Sequence, residues 1–264
     1  MMPELPEVET LCRQLRQLIV GAEITKTRII DSKLGTITGI VGKQVCGIDR
    51  HGKTLAIELI GNRSLVLHLR MTGRLLWQYN CNGLPPHTRL VISFPHGRLS
   101  LIDPRRFATA TVHKKRTDIP LGSDPLDDGD ASHLGEMAQH STLPIKSFLM
   151  DQRRIRGIGN IYACEILHQA RMDPWRRVNT LSPDEWERIA EATQKVLSRA
   201  VACRGTSVSD WRDLFGKEGE HQNYLMVYSR DGAACYRCGK EIKRKKLSGR
   251  GTYYCPTCQQ CEGG

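Results

Sequence analysis

The last thirty residues contain Cys235-x-x-Cys238, a gap of sixteen residues, then Cys255-x-x-Cys258. No other feature restricts the fold of this chain as tightly. Two residues between cysteines let each pair chelate from one tight turn, and four thiolates in that spacing suit a tetrahedral structural zinc. The gap between the pairs is long enough for a hairpin and too short for a domain. Cys235, Cys238, Cys255 and Cys258 are therefore the expected ligands of one structural zinc. Four cysteines leave no open coordination position, so the metal has no catalytic role. Cys261 follows too closely to keep the rhythm and is left out of the set. The remaining five of the ten cysteines are scattered, which favours metal binding in a reducing compartment over a disulfide framework.

Between the pairs runs Lys240-Glu-Ile-Lys-Arg-Lys-Lys-Leu-Ser-Gly-Arg-Gly. This is either a basic hairpin tip that holds phosphates or a solvated run of charge. The whole chain, 264 residues with a formal charge of +11 and a pI near 9.3, favours an anionic partner. Aromatic residues make up only 6%, which argues against a stacking surface for single strands. No apolar run approaches the ~20 residues that span a bilayer. No basic-then-apolar leader pattern opens the chain either. These features fit a soluble intracellular protein.

Period separates the chain into two parts. Val8, Leu11, Cys12, Leu15, Leu18 and Ile19 form one apolar face, predicting a helix from Pro6 to Val20 that Gly21 stops. From Ala22 to about Val112 short β runs alternate with turns, as in Thr54–Leu59, Ser64–Leu69, Arg89–Phe94 and Arg98–Ile102. Gly61-Asn62 and His96-Gly97 mark two of the turns. That spacing suits a sandwich or a barrel. Residues 118–130 are rich in Pro, Gly and Asp and are expected to be a linker. Helical patterns follow at Ile145–Asp151, Gly159–Ala170, Pro183–Val201 and Trp211–Phe215. The expected organisation is an α+β chain. Residues 1–117 form a β domain with a leading helix, 131–227 a helical domain, 228–260 a zinc hairpin and 261–264 a tail.

Several short motifs permit two readings. Pro3 followed by Glu4 either opens a helix with proline in its first turn or supplies a nucleophile. If Met1 and Met2 are absent, Pro3 carries a free secondary amine, and an α-amino group (pKa ~7.7–8.0) is more often unprotonated than lysine. Such an amine forms Schiff bases. In Asp103-Pro-Arg-Arg-Phe107, Arg105 and Phe107 either enter a duplex together or make a strand-end salt bridge over a core ring. Met71, in His68-Leu-Arg-Met-Thr-Gly, is a wedge or core. Lys53 is a catalytic or phosphate-binding lysine, or a solvated one. Asn160, in Gly-Ile-Gly-Asn-Ile-Tyr-Ala, is a phosphate donor at a helix start or a plain N-cap.

From Pro3 to about Gln260 these motifs together resemble the formamidopyrimidine-DNA glycosylase family, bacterial repair enzymes for 8-oxoguanine and ring-opened purines. Pro-Glu-Leu-Pro-Glu-Val-Glu-Thr, His-Leu-Arg-Met-Thr-Gly, Asp-Pro-Arg-Arg-Phe, Leu-Gly-Ser-Asp-Pro-Leu, Gly-Ile-Gly-Asn-Ile-Tyr-Ala and the cysteine pairs occur in the family's order. The resemblance implies a β-sandwich with a leading helix, then a helix–two-turn–helix domain with a zinc-bound β-hairpin. It implies that Pro3 is the nucleophile, Glu4 the general acid and base, and Glu7 a buried support. Lys53 would contact the phosphate beside the lesion and assist the chemistry, and Arg250, gripping the backbone, would join the catalytic residues. His68, Asn160 and Tyr228 would grip the DNA backbone. Met71, Arg105 and Phe107 would fill the gap left by an extruded base, and Lys146 would lie near that base. Thr206–Tyr224 matches the family's mobile loop over the base. The implied partner is double-stranded DNA with oxidised purines or abasic sites, met by a cytoplasmic, nucleoid-associated monomer. The implied maturation starts translation at Met2 and exposes Pro3. The endonuclease VIII type, which removes oxidised pyrimidines, has Gly where this chain has Leu5 and lacks the Arg-Arg-Phe wedge. A reading of another class is a non-catalytic zinc-dependent DNA-binding protein. The Pro3–Glu4 pair separates it from the enzymes.

Overall fold

The computed structural model describes residues 2–79, 83–114, 123–126 and 131–260. The chain divides into two compact units. The first contains residues 1–121 and 203–222, the second 122–202 and 223–264.

In the first unit, helix α1 (Leu5–Ile19) takes its N-terminal turn from Pro6, whose fixed φ suits that position. The helix ends where Gly21 adopts φ +85°. Its buried stripe is Val8, Leu11, Cys12, Leu15 and Ile19. Burying each of the large apolar side chains contributes roughly 1.5–3 kcal/mol. The stripe packs on β2 (Val45–His51) and β3 (Thr54–Leu59). Those strands continue into β4 (Arg63–His68) and β8 (Thr109–His113) in an antiparallel sheet of order β2-β3-β4-β8. A second antiparallel sheet has the order β1-β6-β7-β5, from Lys26–Ile29, Thr88–Phe94, Gly97–Ile102 and Arg74–Gln78. Leu55, Ile57, Leu65 and Leu67 of one sheet share a core with Leu75, Trp77, Leu90, Ile92, Leu99 and Leu101 of the other. The β region is thus a sandwich closed by a helix, not a barrel.

Residues 203–222, placed by sequence in the helical domain, belong to this first unit. Trp211 and Leu214 enter its core, and Leu214 carbonyl accepts the Trp77 amide of β5 at 2.8 Å. Gln14 of α1 donates to Asp213 and accepts from the Leu214 amide. The expected helix at Trp211–Phe215 is absent for the same reason. Asp213 accepts the amides of Phe215 and Lys217, a side-chain capped turn that competes with helical bonding.

The second unit holds α2 (Ala131–Ala138), α3 (Ile145–Leu149), α4 (Asn160–Gln169) and α5 (Pro183–Ala202). It ends in the hairpin β9 (Lys243–Leu247) and β10 (Arg250–Tyr254). Helix α4 is buried on all sides, as expected of a helix at the centre of a bundle. Most of the expected linker, and the Cys261–Gly264 tail, lie outside the described residues.

Candidate functional site

The first unit gathers several of the expected site residues around the start of α1. Glu4 is the N-cap, and it forms a reciprocal capping box with Glu7. Glu7 is fully buried. Its Oε2 accepts the Glu4 amide at 2.8 Å and its Oε1 accepts the Thr206 amide at 2.8 Å. Gly205 makes that approach possible. It sits at φ +82°, and a Cβ there would lie 2.7 Å from Glu7 Oε1. Behind it, Thr206 Oγ1 meets the buried His221 Nδ1 at 3.1 Å, and Trp211 Nε1 donates to the Arg204 carbonyl. Pro3, buried beside this network, lines a cavity of about 330 Å³ with Met71, Thr72, Gly73, Asp210 and Trp211. Sequence reasoning singled out Thr206–Tyr224 only as a loop, and missed Gly205 and the contact between Thr206 and Glu7. No local signal marks that contact, because Glu7 is 199 residues away.

Lys53 sits in the turn between β2 and β3. That hairpin is docked on α1 by Arg50, which pairs with Glu9 at 2.9 Å. Lys53 is buried rather than solvated. His68 faces Thr54 across the β3–β4 ladder. Its Nδ1 accepts the amide of Arg70, a residue held at φ +56°. The imidazole hydrogen therefore resides on Nε2, which is left as the ring's donor. Burial, reinforced by the charges of Arg70 and Lys53, pushes the His68 pKa down to about 4, so the ring is neutral at physiological pH.

Met71 and Phe107 are 44% and 43% exposed, so neither is a core residue. Arg105 joins them. Its guanidinium lies 4.7 Å from the Phe107 ring centre and its Nη1 is 3.6 Å from Met71 Sδ. The second arginine of the motif has another task, since Arg106 pairs with Asp31 through two nitrogens. Asp103 shapes the loop. It accepts the Thr72 hydroxyl and the amides of Arg105, Phe107 and Ala108. Burial works against its charge, but the bonds from Ala108, Thr72, Phe107 and Arg105 outweigh burial and hold the carboxyl below its usual range. The carboxylate thus fixes an exposed ring, an exposed guanidinium and a thioether in one patch.

The other expected residues lie in the second unit, around the first residues of β10. Lys146 is fully buried, and its Nζ donates to Asn160 Oδ1 at 2.7 Å, to Thr252 Oγ1 at 2.8 Å and to the Gly251 carbonyl. Asn160 Nδ2 donates to the same carbonyl at 3.0 Å. Asn160 is not an N-cap: Gly159 holds that position, and Asn160 is the first helical residue. The Tyr228 ring packs against Tyr253 with centres 4.9 Å apart and planes tilted by 57°, and its amide donates to the buried Glu165. Arg250 is exposed at the start of β10, and Lys243–Lys246 line β9 as four exposed cations.

The cysteine cluster passes the test for a tetrahedral metal. The sulfurs of Cys235, Cys238, Cys255 and Cys258 all lie within 4.8 Å of one another. Ligation at ~2.3 Å from a common centre requires sulfurs just under 4 Å apart, and the 235–258 and 238–255 pairs stand at 4.0 and 3.5 Å. Backbone amides of Arg237 and Cys258 point at Cys235 and Cys255 sulfur, donors that suit thiolates.

Three family models match in series. The Formamidopyrimidine-DNA glycosylase N-terminal domain matches residues 2–110, its H2TH domain 121–211, and the Zinc finger found in FPG and IleRS 232–260. A Formamidopyrimidine-DNA glycosylase from Pelotomaculum thermopropionicum is 38% identical, with 98% of this chain and 99% of the relative covered. One from Moorella thermoacetica is 40% identical over 92% of this chain and 94% of its own. A solved complex between the Lactococcus lactis Fpg and an abasic site containing DNA superposes with a TM-score of 0.89, at 33% identity, over 98% of this chain and 100% of that one. A Lactococcus lactis mutant bound to a Fapy-dG containing DNA gives 0.90 at 33% identity and the same coverage. Matched along nearly its full length in sequence and fold, the chain belongs to the formamidopyrimidine-DNA glycosylase family.

Proposed function

We propose that this protein is a DNA repair glycosylase and AP lyase that excises oxidised purines, 8-oxoguanine and formamidopyrimidines, from duplex DNA. The observation that carries this reading is the place of Pro3. It borders a cavity whose wall includes Met71, and Met71 belongs to the exposed patch with Arg105 and Phe107. A nucleophile and a duplex wedge thus adjoin one space. A base inside a duplex is out of reach, so it must be extruded, at a cost of a few kcal/mol. Phe107 and Met71 offset that cost by wedging the stack, and Arg105 meets the orphaned partner base.

In the chemistry that follows, the Pro3 amine forms a bond to C1′ of the sugar as the glycosidic bond breaks and the base leaves with a proton. Glu4 protonates O4′, the sugar ring opens and a Schiff base remains. Loss of a C2′ hydrogen expels the 3′ phosphate, and a second elimination expels the 5′ phosphate. Glu7 holds the Glu4 backbone in place during these steps. Lys53, Arg250 and the neutral His68 Nε2–H bind phosphate, with Asn160 and Tyr228 on the same backbone and Lys146 near the extruded base. Zinc supplies no reacting group; its ligands hold the basic hairpin. The protein acts as a monomer where genomic DNA lies, in the bacterial cytoplasm at the nucleoid.

One observation favours a second substrate class. A 33% identical Lactococcus lactis enzyme was solved with an oxidized pyrimidine containing DNA. Base release from duplexes carrying 8-oxoguanine, a formamidopyrimidine or an oxidised pyrimidine decides between the two. Purine lesions opposite cytosine should be released fastest. A faster release of the pyrimidine lesion would assign the endonuclease VIII type of activity instead. DNA binding without any base release would leave only the non-catalytic reading.

A further inference from the structure

The zinc cluster has a neighbour that neither the cysteine spacing nor the proposed chemistry uses. His168 lies in the last turn of α4, with no exposed surface. Its Nε2 is 3.5 Å from Cys235 Sγ. Its Nδ1 is buried without a hydrogen-bond partner among the described residues. The same sulfur accepts the Arg237 amide at 3.4 Å, and the Arg237 guanidinium donates to the His168 carbonyl at 2.9 Å. Helix end, sulfur and zinc turn therefore form one closed ring of contacts. The His168 carbonyl also accepts the Arg171 amide at 3.2 Å, so Arg237 adds a further donor at this helix end.

We propose that His168 is a positioning residue for the metal: its Nε2–H donates to the zinc-bound Cys235 thiolate and ties metal retention to helix α4. A cysteine bound to zinc has lost its S–H and is only an acceptor. A ring nitrogen facing it at 3.5 Å must carry the hydrogen, because two lone pairs would otherwise oppose each other. Ligation therefore selects the Nε2–H form of the ring and leaves Nδ1 as a bare lone pair. Metal-free Cys235 imposes no such choice, since its thiol can donate to Nε2. Four thiolates around one dication also leave two net negative charges, and a donor aimed at one sulfur stabilises that excess. Outer partners of this kind commonly change metal affinity 10–100-fold. The Lys146–Asn160–Gly251 bonds hold the hairpin to the first turn of α4, so His168 provides the second attachment, at the helix's other end. None of this depends on the role of Pro3.

The test uses the zinc-loaded full chain. Zinc transfer to a chromogenic chelator should be about tenfold faster in His168→Leu, which fills the space without a donor. His168→Gln, whose amide can donate to the sulfur, should restore a rate near that of the unmodified protein. Equal acceleration in both variants would reduce His168 to packing and overturn the proposal, as would no acceleration in either. A second readout needs no variant: long-range 1H–15N correlation on the zinc-loaded protein should place the His168 hydrogen on Nε2. A hydrogen on Nδ1 alone would overturn the proposal.

Discussion

In each unit a buried carboxylate near or within a helix holds a segment distant in sequence. Glu7 holds Thr206, and Glu165 holds Met226, Val227 and Tyr228. The difference lies in what stands beside them. Glu165 is within α4, far from the positive end of the helix dipole, and three backbone amides converge on its two oxygens. It is a structural clamp that delivers Tyr228. Glu7 lies in the first turn of α1, where the dipole favours negative charge, four residues from Pro3. One device thus builds the scaffold in the second unit and supports the proposed reaction site in the first.

The largest effect should come from breaking the structural clamp. Glu165→Ala leaves three amides without their acceptor, and each unmet buried group costs ~1–3 kcal/mol. Thermal unfolding should show the second unit destabilised by several kcal/mol, with the first unit's transition in place. A shift below about 1 kcal/mol would mean that water replaces the carboxylate and that the two clamps are not alike.

Gly205→Ala attacks the other clamp. The substitution puts a Cβ against Glu7 Oε1 at φ +82°, a strain of ~1–3 kcal/mol. Base release should slow at least tenfold while the melting temperature moves only a few degrees, because misplacing a reacting group by ~1 Å can cost ~10²-fold. An unchanged rate would show that the Glu7–Thr206 contact has no part in the chemistry.

The smallest effect concerns pH, and the two units should respond with opposite sign. Burial raises the Glu165 pKa even though the amides of Met226, Tyr228 and Val227 pull it down. Its contribution to stability is therefore complete below the ordinary carboxyl value and is lost as pH rises through the folded value. His68 is depressed from 6.5 to about 4. Its contribution is complete above 6.5 and is lost as pH falls towards 4. In urea unfolding, His68→Gln should gain stability relative to the unmodified protein on going from pH 7 to pH 5. No relative change would show that the folded ring takes up its proton at the ordinary pH.

Some of this architecture can be read from the sequence. The zinc ligands come in two local pairs, so spacing alone identifies them. Helix α1 and strands β3, β4, β6 and β7 carry their own period. Local signals do not reveal what distant partners decide. Asp103 needs Thr72 and Arg89 to become a loop organiser, and Arg106 needs Asp31 to be withdrawn from the Arg-Arg pair. Trp211–Phe215 looks helical until Trp211 and Leu214 find the sandwich core. Helix α2 escaped notice because Gly135 and His133 interrupt an otherwise short apolar pattern.

The central claim is that the nitrogen of Pro3 is the nucleophile. In a chain that keeps Met1 and Met2, that nitrogen is an amide with no lone pair available for attack. The direct measurement is borohydride trapping on 8-oxoguanine duplex, followed by peptide mapping of the adduct. It would compare protein beginning at Pro3 with protein retaining both methionines. The account predicts an adduct on Pro3 in the first and none in the second, with lesion DNA bound by both. Equal trapping by the two forms, or an adduct mapped to Lys53, would contradict it.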